Sequence, residues 1–113
     1  MDDQNSYSSE YIQISTTVCN IGQGEMIAKA LLENRLTACV QIVENVTSIY
    51  PWKGKIKRER ELLLLIKSKS SLFNKIRDLL EEIHPYEIPE IIATPIFDGG
   101  VSYFAWLNEQ IDG

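Results

Sequence analysis

His84 is the only histidine of the chain, and it opens the stretch HPYEIPEI (84–91), where two prolines, a tyrosine and two glutamates follow within six positions. Imidazole is the commonest protein metal ligand, and a cysteine thiolate suits copper. Yet one histidine and two cysteines, Cys19 and Cys39, with no C-x-x-C or H-x-x-x-H spacing, cannot build a closed four-ligand site in a single chain. A site is possible only by sharing ligands between copies, pairing His84 with Cys39 or with a glutamate, Glu90 among them. The opposing reading makes His84 the end of a helix, where a cation is mildly favourable without any ligand.

Other chemistry is thinner. His84 has no G-x-S-x-G or cysteine signature beside it, so the sequence does not read as an enzyme. There is no G-x-G-x-x-G and no P-loop to cradle a phosphate. The glutamates Glu59, Glu61, Glu87 and Glu90 offer a carboxylate pair, against the ordinary reading of solvated or lysine-paired side chains. The run KGKIKRERE (53–61) carries five basic and two acidic residues, a local +3 in a chain of net charge −5. With Tyr50 and Trp52 as stacking aromatics it resembles a nucleic-acid patch. The overall acidity favours instead a solvated hairpin tip whose lysines discourage edge-to-edge association, so no nucleic-acid partner is expected. Tyr86, Tyr103 and Trp106 read as cleft lining or as interface packing. Cys39, between Ala38 and Val40, reads as a small buried hydrophobe and Cys19 as a loop thiol.

These residues need a scaffold. At 113 residues, 44% hydrophobic and 24% charged, the chain has the length and composition of one globular domain. MDDQNSYSSE (1–10) is polar and acidic with no apolar h-region, so a disordered leader is expected over 1–10 and a single domain over 11–113. The longest apolar run, Leu62 to Ile66, is five residues, so no membrane insertion is expected. Two cysteines make no disulfide framework and point to a reducing, cytoplasmic setting.

The elements alternate. Tyr11 to Val18 alternates apolar and polar residues and is rich in β-branched types, which predicts a strand. Asn20 and glycines 22 and 24 open a helix on Met26, Ile27, Ala30 and Leu31 that stops at Asn34. Thr37 to Tyr50 returns to a period of two, with Ala38, Val40 and Ile42 on one face and Cys39, Gln41 and Val43 on the other. Pro51 cannot donate to a ladder, so pairing breaks there or the strand lies at an edge. WKGK is a turn with Gly54 at positive φ, and Ile56 to Lys67 is a second long strand ending in LLLLI. A helix capped by Ser70 or Ser71 follows on Leu72, Phe73, Ile76, Leu79, Leu80 and Ile83, ended by the residue before Pro85. Ile88 to Ile96 is a fourth strand between Pro89 and Pro95, and Val101, Phe104 and Leu107 form a C-terminal helix.

The order β-α-β-β-α-β with right-handed crossovers predicts an α+β, ferredoxin-like sandwich: four antiparallel strands, two helices on one face and an extra helix at the end. The two middle strands are too long for such a sheet. A hairpin that projects beyond its sheet exposes backbone edges, and pairing with another copy is the usual remedy, so an oligomer is expected.

ACVQIVENVTSIYPWKGKI, ELLLLIKS, HPYEIPEII and YFAWLNE, in this order and spacing, resemble the CutA family of divalent-cation-tolerance proteins over residues 11 to 110. The resemblance implies a ferredoxin-like subunit in a PII-like homotrimer, with clefts between subunits and binding of copper and other divalent cations. The copper ligands proposed in that family include a cysteine at the end of the first strand and two histidines before Pro-Tyr. Here those positions are Thr16, Ile83 and His84, so two of three are lost, and weak binding is expected. The expected metal set is His84, Cys39 and Glu90. The expected ligand cleft holds Lys67, His84, Tyr86 and Glu90, with Trp52 and Lys55 from a neighbouring hairpin. The alternative is a PII-like sensor or scaffold that takes a small anionic ligand or a partner protein in the same cleft.

Overall fold

The computed structural model describes residues 9–111. Its elements are β1 (Tyr11–Val18), α1 (Ile21–Glu33), β2 (Cys39–Trp52), β3 (Lys55–Lys69), a 3₁₀ turn (Ser70–Leu72), α2 (Phe73–Ile83), β4 (Ile92–Pro95) and α3 (Val101–Gln110). The strands pair antiparallel in the order β2-β3-β1-β4, which is the ferredoxin-like topology.

One face of the sheet carries the core. Ile12, Ile14 and Val18 of β1 and Leu62, Leu64 and Ile66 of β3 alternate inward and are buried against Ile27 and Leu31 of α1 and Ile76 and Leu80 of α2. Each such side chain contributes roughly 1.5–3 kcal/mol by leaving water. Gly24 lets α1 come close, since a Cβ there would lie 3.3 Å from Ile42 Cδ1 and 3.5 Å from Leu64 Cδ1. Asn20 caps α1 by accepting from the Gln23 N–H at 2.8 Å. The C-terminal α3 docks on β1 through Tyr11, whose ring stacks on Phe104 at 4.1 Å and whose hydroxyl accepts from Asn108 Nδ2.

Two expectations are corrected. No serine caps α2: its N-cap is Leu72 with no side-chain bond, and the Ser70 hydroxyl instead donates to the Glu10 carbonyl. β4 covers only Ile92–Pro95: its pairing with β1 ends at Ile92 opposite Ser15, although β1 continues to Val18, and Pro89 could not donate to a longer ladder. β2 runs through Pro51 to Trp52, and it lies at an edge of the sheet, one of the two placements expected for a strand that holds this proline. Of the leader, residues 1–8 lie outside the described residues, whereas the Ser9 hydroxyl donates to the Ile96 carbonyl and Glu10 pairs with Lys69.

The hairpin leaves the sheet. β1 pairs with β3 only from Leu62 to Lys69, so Lys55–Glu61 has β2 on one side and, among the described residues, no strand on the other. Those seven residues project by roughly 24 Å. The projection starts at a β-bulge between Val43 and Val46, where Asn45 takes φ 64°. Its tip is a two-residue turn, Lys53 and Gly54 at φ 51° and 82°, the mirror-image geometry that fits strand twist.

Candidate ligand cleft

His84 ends α2. Its φ of −67° and ψ of 135° are extended, as the following proline requires, and its N–H still donates to the Leu80 carbonyl. This turns the ring inward, where it is buried. Nδ1 accepts from the Tyr86 N–H at 3.1 Å. The proton therefore sits on Nε2, which donates to the Thr17 carbonyl at 3.0 Å and lies 3.1 Å from Thr16 Oγ1. Burial lowers the pKa, outweighing the opposing pull of the Thr17 bond and the Glu61 charge, so the ring is neutral. Both nitrogens are engaged with the chain itself. The ring is a clamp holding the end of α2 and the start of the 85–91 segment to β1.

Tyr86 carries that segment onto β3. Its ring meets the His84 ring edge-on at 4.8 Å, and its hydroxyl donates to Glu61 Oε2 at 2.6 Å. Burial and the Glu61 carboxylate both raise the tyrosine's pKa, so the phenol keeps its proton as a donor. Glu61 is itself only 6% exposed. The bulge decides what stands beside it. Before it, Cys39, Gln41 and Val43 face the same side as Lys67, Leu65 and Leu63; after it, Val46, Ser48, Tyr50 and Trp52 face the side of Glu61, Glu59, Lys57 and Lys55. One extra residue moves Tyr50 and Trp52 away from the helix-covered face. The result is a cleft of roughly 660 Å³ between the hairpin, the end of β1 and the 86–90 segment. Four glutamates, 59, 61, 87 and 90, line it against one lysine, Lys57, which lies 3.4 Å from Glu59.

A family profile described as CutA1 divalent ion tolerance protein matches residues 12–110. The chain belongs to the CutA1 family. A divalent-cation tolerance protein CutA of Thermus thermophilus is 49% identical over 84 residues, which are 74% of this chain and 82% of the relative. Protein CutA of Homo sapiens is 45% identical over 83 residues; these span 74% of this chain but 46% of the human protein, less than half its length. Among solved structures, CutA1 from Shewanella sp. SIB1 superposes with a TM-score of 0.90 at 38% identity, covering 95% of this chain and 100% of that one. Its Thermus thermophilus counterpart gives 0.86 at 42% identity, covering 90% and 99%. The family's name describes tolerance of divalent cations and names no reaction.

Within this CutA1 chain the expected site residues part company. Tyr86 and Glu90 line the cleft together with the chain's own Trp52, expected there from a neighbouring hairpin, while this chain's own Lys55 and Lys67 do not line it. Lys55 is exposed at the hairpin tip. Lys67 lies at the other end of β3, beside Cys39, where its ammonium donates to Gln41 Oε1. The expected metal set does not assemble within one chain. Cys39 is on a different part of the sheet, His84 has no free nitrogen lone pair, and only Glu90 faces the cleft. Among the described residues no three histidine, cysteine or acidic side chains converge as a metal site. A tightly chelated ion therefore does not fit a single chain. Sequence reasoning passed over Tyr50 as a cleft residue and Glu61 as its buried floor. The one local signal was Asn45, a residue type that tolerates positive φ and so marks a possible bulge.

Proposed function

We propose that this CutA1-family chain works as a non-enzymatic homotrimer whose clefts hold divalent cations, copper-class ions among them, weakly and reversibly, as its part in metal tolerance. The observation that carries the reading is the sign of the cleft, four carboxylates against one lysine. Such a lining concentrates cations, while the lack of three converging donors leaves the ion partly hydrated and loosely held. The homotrimer rests on the unpaired Lys55–Glu61 edge, which a second copy would satisfy. The same acidity weighs against the anionic-ligand sensor, whose lysines lie outside the cleft. Two free thiols, Cys19 and Cys39, suit a cytoplasmic setting.

Calorimetric titration with copper and manganese ions tests this. Binding weaker than about micromolar is expected, reduced by Glu87→Gln with Glu90→Gln and unchanged by His84→Gln. Dependence on His84, or no binding at millimolar metal, would refute it.

A further inference from the structure

We infer that the cleft beside Glu61 is a binding site for a small organic ammonium, a cation with an apolar body, independent of any metal. Three observations converge on it. First, Glu61 is a nearly buried carboxylate whose one recorded partner is the neutral Tyr86 hydroxyl, with no cation paired to it among the described residues. A buried charge is costly without a counter-charge, and the opening beside this one leads into the cleft. Second, the walls are aromatic: Tyr50, Trp52 and Tyr86 line the same space. The negative face of such rings attracts ammonium groups that have shed part of their water. Trp52 already does so, with the chain's own Lys53 ammonium 5.7 Å from its ring centroid. Third, a cleft of roughly 660 Å³ has the size of a small-molecule site rather than an ion site.

The same features choose between ligand classes. A metal ion that sheds its water needs several donors converging within coordination distance. Among the described residues they do not converge, so a metal here keeps its water and is held loosely, leaving the close carboxylate open to an ammonium. An anion meets four carboxylates. A primary or quaternary ammonium needs only one close carboxylate, which Glu61 supplies, with Glu87 and Glu90 adding longer-range attraction. Its carbon body needs apolar walls, which Tyr50, Trp52 and Ile88 supply.

Calorimetry on the full chain with a chelator present, using cyclohexylmethylammonium and the uncharged cyclohexylmethanol, tests the assignment. The charged probe is expected to bind about tenfold more tightly than the neutral one. Trp52→Leu and, separately, Glu61→Gln are each expected to weaken the charged probe about tenfold and leave the neutral one little changed. Equal affinity for the two probes would make the cleft merely apolar and overturn the assignment, as would wild-type affinity in Trp52→Leu. If Glu61→Gln alters the oligomeric mass, Trp52→Leu decides. If the charged probe does not bind at millimolar concentration while Glu61→Gln lowers the mass, the counter-charge of Glu61 is a basic side chain of a second copy, and the proposal falls. Because the chelator removes metal, failure here leaves the divalent-cation reading untouched, and failure of metal binding leaves this one standing.

Discussion

At the scale of single residues, the consequential finding is that the one histidine is spent on structure. The Tyr86 N–H holds Nδ1 unprotonated and the Thr17 carbonyl takes the Nε2 proton, so protonating His84 means breaking the Tyr86 bond. Burial lowers its pKa below the ordinary 6.5, so between the folded value and 6.5 the unfolded chain binds a proton that the folded chain does not. Stability is therefore full above about pH 6.5 and is lost as the pH falls through that window. Urea titrations are expected to show a falling midpoint on acidification from about pH 7 to pH 5, and His84→Gln is expected to flatten that slope. Tyr86→Phe removes the hydroxyl donor of the buried Glu61 and is expected to cost about 1–3 kcal/mol in the same titration at neutral pH. A cost near zero would mean that water replaces the phenol without loss.

At the scale of elements, the hairpin decides the architecture of the cleft, and its turn and bulge decide the hairpin. Gly54 sits at φ 82° with nothing within 4 Å of a Cβ, so a substitution there is limited by backbone strain alone. Gly54→Ala is expected to destabilise by about 1 kcal/mol, read from denaturant unfolding, with the core unperturbed. Asn20→Ala removes the cap of α1 and is expected to cost a similar amount, about 1 kcal/mol. The bulge acts differently, since it changes which side chains share a face. Without the extra residue, Tyr50 and Trp52 would continue the alternation of Val40 and Ile42 toward the helices, and the acidic cleft would lose its aromatic wall.

At the scale of the whole molecule, one subunit leaves much apolar surface uncovered. Ile49 and Ile56 on the hairpin are 65% and 74% exposed, while Phe97 is fully exposed. Exposed apolar surface beside an unpaired strand edge calls for a partner, and the proposed partner is a second copy of the chain. Sedimentation at micromolar concentration is expected to give the mass of a trimer, and Ile49→Glu with Ile56→Glu is expected to shift it toward monomer. A wild-type monomer would refute the proposal.

Much of this chain is legible in one dimension. β1 was readable to the residue from alternation, α1 from its Asn20 and Asn34 caps, and the end of α2 from Pro85, because these depend on local backbone preference and periodicity. The strand count and order then leave one simple sheet, so the ferredoxin-like fold followed from connection rules and the CutA resemblance agreed with it. The site was less legible, for a physical reason. Whether His84 offers a lone pair depends on the Tyr86 amide and the Thr17 carbonyl meeting it, the latter 67 positions away in the chain. Whether Tyr50 and Trp52 face Glu61 depends on one extra residue in β2, which reverses every side chain beyond it. Periodicity names the faces of a strand, but only the closed sheet, with its register fixed by the partner strand, decides which face becomes the wall of a cleft.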